Sequence, residues 1–332
     1  MAARDQQSAE ERLIARYFRP LATHPGAFGL TDDAAVLTPP PGCDLVLTTD
    51  GVIAGVHFFA DDPPDTIGRK ALRMNLSDLA AKGAKPLGFL MSAALPAGIE
   101  EKWLAGFAAG LGADAERYQC PLLGGDTDRT PGPTAISIAA FGAVPQGKMV
   151  RRSTAKAGDY VVVTGTIGDA ALGVLLRKEP GLGDRLRLDE AVREYLRQRY
   201  LLPQPRNELA EAVLAHASAA MDVSDGLAGD LAKLCRASGV GAEIDVASVP
   251  LSGAARTALV ADPALIDTVL TGGDDYEIVL TLPPERVAAF SVAAERAGVA
   301  ISVIGCIVSG EGARFIRNGN ELKFDRPSFS HF

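Results

Sequence analysis

At 332 residues the chain has room for two domains of ordinary size. Its 47% hydrophobic and 22% charged content is that of a soluble globular protein, not of a disordered chain. The net charge of −8 argues against a nucleic-acid partner, which needs clustered Lys and Arg to meet its phosphates.

The first predicted element is a helix. Ser8 is placed to cap it and Glu11 to complete a capping box, with Leu13, Ile14, Tyr17 and Phe18 on one face and Pro20 at its end. "DLVLTT" reads as a buried strand running into Asp50-Gly51. A helix follows over Asp65 to Lys82, closed by Gly83. Strands are predicted at "LGFLMSAAL" and "TAISIAAFGAV", with a helix from about Glu100 to Tyr118 between them. "PQGKMVRRSTAKAGD" is polar, basic and poor in large apolar residues, so it marks a domain boundary, giving domains 1–150 and 151–332. Beyond it "YVVVTG" is a strand, and Gly168 to Lys178 and Leu188 to Tyr200 are helices. "SAAMDVS" is a short strand leading to a helix from Asp225 to about Ser238. "YEIVLTL" and "AISVIGCIV" are strands separated by a helix opened by Pro284.

One acidic pattern occurs twice. "MNLSDL" is followed by Gly124-Gly125-Asp126, and "MDVSDG" by Gly272-Gly273-Asp274. Asp78 lies 48 positions before Asp126, and Asp225 lies 49 before Asp274. Each half thus carries a Ser-Asp at the start of, or within, a helix and then a Gly-Gly-Asp turn near a strand, which implies two related domains that mix helices and strands. The acids beside small residues are Asp32, Asp33, Asp50, Asp78 and Asp126 in the first half, and Asp222, Asp225, Asp274 and Asp275 in the second. Several stand where a strand ends or a helix begins, the place where α/β sheets hold ligands. Oxygen-only donors of this kind suit Mg²⁺ or Mn²⁺ holding phosphates, and a cation also reconciles an acidic chain with an anionic substrate. Asp33 and Asp275 read as cap or turn residues instead.

Other chemistries fall away. The four cysteines show no CxxC spacing and only four His are present, so no structural zinc site is expected. "GAVPQGKM" nearly matches a phosphate-binding P-loop, but Met149 offers no hydroxyl and Pro145 no N–H. No G-x-G-x-x-G follows a strand and no EF-hand loop is present. An aspartyl-phosphate phosphatase would need an Asp at the position of Thr48. "MAARDQQSAEERL" lacks the apolar core of a secretory signal, and the longest apolar run, Ala135 to Val144, is too short to span a bilayer. A cytoplasmic protein with reduced thiols and no membrane partner is expected.

"TDDAAVL", "TTDGVIAGVHF", "NLSDLAAKGAKP", "LLGGDTDR", "RRSTAKAGD", "VSDGLAGDL", "TGGDDYEI" and the terminal "HF" together resemble, in order and over nearly the whole chain, the thiamine-monophosphate kinase family. The resemblance implies an α+β (mixed α/β) fold of two related domains of the aminoimidazole ribonucleotide synthetase-like (PurM-like) type. It implies an N-terminal domain that binds metal and ATP and forms a homodimer, and ATP-dependent phosphorylation of thiamine phosphate to thiamine diphosphate with several Mg²⁺ ions. Matched residue by residue, Asp32, Thr48, Thr49, Asp50, Asp78, Asp126, Asp222 and Asp225 fall on metal positions. Gly125, Asp126, Arg152 and Ser224 fall on nucleotide contacts, and His57 and Asp274 on positions near thiamine phosphate. Asp126, Arg152, Asp222 and Asp225 are the implied catalytic set. A family aromatic near the C-terminus aligns with Arg326, a departure for which Phe329 is the substitute candidate. The competing readings are a sister enzyme of the same fold, of the amidine synthetase type, then an aspartyl-phosphate-type phosphatase and a non-enzymatic module that binds divalent cations.

Overall fold

The computed structural model describes residues 8–326, 328 and 329. The chain forms two compact units: one from the segment up to Leu79 with Lys85–Gly147, the other from Ala80–Ala84 with Lys148 onward.

In the first unit α1 (Ala9–Leu13) carries the predicted capping box. Glu11 N–H donates to Ser8 Oγ at 3.0 Å, and Ser8 N–H donates to Glu11 Oε2 at 2.6 Å. The predicted single helix is not continuous. It loosens into a π turn over Ile14–Phe18 and tightens into a 3₁₀ turn over Arg19–Leu21, where Pro20 has no N–H to extend the α ladder. Then come β1 (Cys43–Ile53), α2 (Pro64–Ala81), β2 (Lys85–Pro96), α3 (Glu101–Arg117), β3 (Leu122–Thr130) and β4 (Ala135–Pro145).

The four strands form one sheet in the order β1-β4-β2-β3, with β2 and β3 parallel and the other pairs antiparallel. Alternation along the strands separates two faces. Val46, Val52, Phe89, Met91, Ile136 and Ile138 are buried on one, while Leu45, Leu47 and Leu90 stand exposed on the other. β3 is an addition to the predicted elements: Gly124-Gly125-Asp126 lies inside it, paired with Leu90, Met91 and Ser92, and is not a turn beside a strand.

The second unit contains β5 (Tyr160–Thr164), α4 (Asp169–Lys178), α5 (Leu182–Arg185), α6 (Glu190–Leu201), α7 (Ala210–His216), β6 (Ala219–Val223), α8 (Leu227–Ser238) and β7 (Gly241–Asp245). It continues with α9 (Gly253–Ala261), α10 (Ile266–Thr271), β8 (Glu277–Leu282), α11 (Val287–Arg296), β9 (Ile301–Val308), β10 (Gly312–Arg317) and β11 (Asn320–Leu322). Its sheet runs β11-β10-β7-β9-β5-β8-β6, mixed in direction. Val161 and Val163 enter one core with Leu172, Leu227 and Leu231. Val162 enters another with Val213, Leu280 and Phe290. Both faces of the sheet are thus covered, which is why "YVVVT" is an unbroken apolar run rather than an alternating one.

Ala80 and Ala81, the last two residues of α2, belong to that second core beside Leu209 and Val213. The adjoining Lys82 donates from Nζ to the Ala220 carbonyl at 2.7 Å. The middle strands and the long helices were predicted to within a few residues. The short elements β7, β10, β11, α5, α7, α9 and α10 were not foreseen.

Candidate active site

In the first unit the acidic face is built by α2 against β1. From Ala71 to Ala81 every residue of α2 is buried except Asp78, which keeps partial access to solvent. Asn75 and Asp78 are three apart and share a helix face. Asn75 Oδ1 accepts the Asp50 N–H at 3.1 Å, and the Thr48 hydroxyl donates to Asp78 Oδ2. Thr48 and Asp50, two apart on the strand, face the same way. Thr49 points to the opposite face, its hydroxyl donating to the Ile138 carbonyl at 3.1 Å. Just past β1, His57 Nδ1 accepts the Ile53 N–H at 3.1 Å, so the neutral ring carries its proton on Nε2. The buried Lys70 holds the His57 carbonyl at 3.1 Å.

A groove of about 620 Å³ runs over the exposed face of the same unit's sheet. Asp32, Asp33, Gly124, Gly125 and Asp126 line it together with Leu45, Leu47, Leu90 and Phe141. Asp126 is exposed there and its Oδ1 accepts the Thr127 N–H at 2.9 Å. Gly125 is required by the close approach of β2. Its φ is 154°, and a Cβ would sit 1.8 Å from the Met91 carbonyl oxygen. Local turn bonding falls to Asp32, whose Oδ1 accepts the Asp33 N–H at 2.8 Å.

In the second unit Asp222, 7% exposed, is the last residue but one of β6, and after Val223 the chain turns through Ser224-Asp225-Gly226 into α8. The Gly272–Tyr276 loop is laced to this turn through its backbone. Asp274 N–H donates to the Ser224 carbonyl at 2.9 Å, and Tyr276 N–H to the Val223 carbonyl at 2.8 Å. A side chain at Gly273 would place its Cβ 2.4 Å from the Ser224 oxygen. Phe329 N–H donates to the Asp225 carbonyl at 3.0 Å, so Phe329 lies at this turn, while Arg326 is exposed. His331 and Phe332, the terminal "HF", lie outside the described residues. Arg152 is exposed, with its carbonyl held by Ser238 Oγ at 2.9 Å.

Two residues of α8 that hold this turn were missed in the sequence. Asp230 is fully buried and its Oδ2 accepts the N–H groups of Ser224 and Asp225 at 3.0 and 2.9 Å. Lys233 Nζ lies 2.5 Å from Asp225 Oδ2 and 2.9 Å from Asp230 Oδ1. Burial pushes the Asp230 carboxyl up, partly offset by the Lys233 ammonium. Burial works against the Lys233 charge, yet its two carboxylate partners outweigh that and hold it above its ordinary range. The i,i+3 spacing of Asp230 and Lys233 on an amphipathic helix was a readable signal of this pair.

Among the described residues no three His, Cys, Asp or Glu side chains form a ready-made metal cage. The available donors are nonetheless all oxygens: Asp78 with Thr48 in one unit, Asp222 and Asp225 around one strand end in the other. That donor set fits Mg²⁺, which keeps several waters and takes its remaining ligands from substrate phosphates. It does not fit zinc or another metal that prefers nitrogen or sulfur.

A family model described as AIR synthase related protein, N-terminal domain, matches residues 31–144, and the corresponding C-terminal domain model matches residues 156–318. The two matches together place the chain in the two-domain AIR synthase-related class. A thiamine-monophosphate kinase of Caulobacter vibrioides is 42% identical over 322 residues, covering 96% of this chain and 89% of that protein. The crystal structure of the thiamine-monophosphate kinase of Stenotrophomonas maltophilia K279a superposes with a TM-score of 0.82 at 37% identity, covering 96% of this chain and 98% of the other. A structure of AaThiL complexed with AMPPCP and TMP has a TM-score of 0.76 at 31% identity over 92% of this chain and 97% of its own. The chain belongs to the thiamine-monophosphate kinase family.

Proposed function

We propose that this chain transfers the terminal phosphoryl group of ATP to thiamine phosphate, producing thiamine diphosphate and ADP. The observation that carries the reading is the likeness, over 92% of the chain, to a protein solved with an ATP analogue and TMP.

Two polyanions must meet, so the reaction needs positive charge and alignment more than a protein nucleophile. Divalent cations, Mg²⁺ in this reading, supply that charge when bound. Their proposed ligands are Asp32, Thr48, Asp50, Asp78 and Asp126 of the first unit and Asp222 and Asp225 of the second. Thr49 is the weakest member of the set, because its hydroxyl already donates to the Ile138 carbonyl. Gly125, Asp126, Arg152 and Ser224 are proposed to contact the nucleotide, and His57, Asp274 and Phe329 the thiamine phosphate. The exposed Arg152 guanidinium is free of any structural ion pair among the described residues, and its planar fork suits phosphate oxygens. His57, protonated on Nε2, is suited to donate to a phosphate oxygen. The N-terminal region up to residue 150 is proposed as the part that binds metal and ATP and forms a homodimer, and residues 151–332 as the second domain. A cytoplasmic site of action is proposed; no helix among the described residues is long and apolar enough to cross a membrane.

The test is ADP release from Mg-ATP with and without thiamine phosphate, with thiamine diphosphate measured by chromatography. ADP and thiamine diphosphate are expected in equal amounts and only when both substrates are present. Replacing Mg²⁺ by Ca²⁺, whose bonds are longer and looser, is expected to cut turnover at least tenfold. ADP release independent of thiamine phosphate would favour a sister enzyme of the amidine synthetase type, and no release at all a cation-binding module.

A further inference from the structure

The loop that carries Asp274 is held from behind. Asp275 is 1% exposed and turned inward, whereas its neighbour Asp274 is half-buried. Both residues beside it are in the left-handed region, Asp274 at φ 77° and Tyr276 at φ 51°. Side-chain-bearing residues adopt that region rarely, and two bracketing one position need their surroundings to impose it. On the outer side the restraints are the backbone bonds to Ser224 and Val223 already described. On the inner side Asp275 Oδ2 accepts the Gly168 N–H at 2.7 Å, and Oδ1 the Ala170 N–H at 3.4 Å.

Those N–H groups open α4, a helix of 10 residues whose own N-cap, Gly168, has no side chain to satisfy them. Gly168 cannot be replaced by a capping Ser or Asp, because its φ is 84° and a Cβ would lie 2.6 Å from Val269. The cap is therefore supplied from 107 positions away in the sequence. Asp169, Glu277 and Arg199 are the charged groups around the Asp275 carboxyl. The next residue but one, Glu277, is itself fixed by Arg199, Arg206 and the Thr164 hydroxyl.

We propose that Asp275 is a positioning residue for the phosphoryl acceptor: by capping α4 it locks the Gly272–Tyr276 loop so that the Asp274 carboxylate is held toward thiamine phosphate. The inference rests on the reading of Asp274 as a contact of that substrate. A carboxyl that served α4 alone would affect folding and nothing else.

The experiment compares Asp275→Ala, Asp275→Asn and Asp274→Ala with the parent in the full chain. KM for thiamine phosphate, KM for ATP and kcat are measured, with melting temperature recorded for each. Asp275→Ala is expected to raise KM for thiamine phosphate about tenfold and to leave KM for ATP within about twofold. Asp275→Asn, whose carbonyl can still accept from Gly168, is expected to recover most of that loss. A lower melting temperature with a parental KM in Asp275→Ala overturns the proposal. If Asp275→Ala does not fold, Asp275→Glu carries the test, since the extra methylene must displace the loop; a parental KM there overturns it equally. An unchanged KM in Asp274→Ala overturns the underlying assignment and the proposal with it. A raised KM in Asp274→Ala beside an unchanged one in Asp275→Ala overturns the proposal alone.

Discussion

A thiol surrounded by hydrocarbon keeps its proton, and two of the four cysteines are so placed. Burial pushes Cys120 up to about 12 and Cys235 up to about 11, whereas Cys43 and Cys306 are only half buried. A thiol-reactive disulfide reagent at neutral pH should therefore release two equivalents quickly from the native protein and four after unfolding. Fast release of three or more would contradict the packing around Cys120 and Cys235. At this scale the acids of the candidate site were legible because small residues and Gly flank them, and Asp78 and Asp222 stand where the sequence placed them, at a helix and a strand end. Glu277 was not legible. Its partners Arg199 and Arg206 lie 78 and 71 positions away, and nothing local marks a charge that is buried only because distant ones meet it.

Elements were legible where hydrophobic periodicity ran long enough, as in α2, α3 and the strands β1, β2 and β4. β3 was misread because its first half pairs two glycines with an Asp, residues that favour turns and carry no alternation. Parallel pairing with β2 overrides that preference, and it does so through main-chain contact that only Gly at position 125 permits. Gly125→Ala should accordingly cost about 3 kcal/mol of unfolding free energy, the sum of a forbidden φ and a backbone clash. Gly124→Ala should cost less than about 1 kcal/mol, since its new Cβ would meet only the tip of the Leu90 side chain at 3.3 Å. Denaturant melts of the two variants check this, and equal midpoints would refute it. The predicted first helix failed for a related reason. A capping box fixes where a helix starts, but Pro20 governs how its end is wound.

For the whole molecule, two units were legible from the repeated acidic pattern and the polar segment between its copies. What surrounds each unit was not, because an exposed apolar surface gives no periodic signal of its partner. Leu45, Leu47 and Leu90 remain 38%, 65% and 37% exposed on the open face of the first sheet. If that face mates in the proposed homodimer, Leu47→Glu should halve the mass seen by light scattering at micromolar concentration, since an unpaired charge would be buried. An unchanged mass would remove this face from the interface. The distribution of α2 between the units has a consequence of another kind. A ribosome releases Ala80 and Ala81 long before Val213 or Phe290, which belong to the same finished core. Until then the growing chain carries the apolar end of α2 uncovered. Synthesis order thus makes the early half of the protein dependent on the late half, and a stalled or truncated product ending near residue 147 is expected to expose a sticky surface to chaperones.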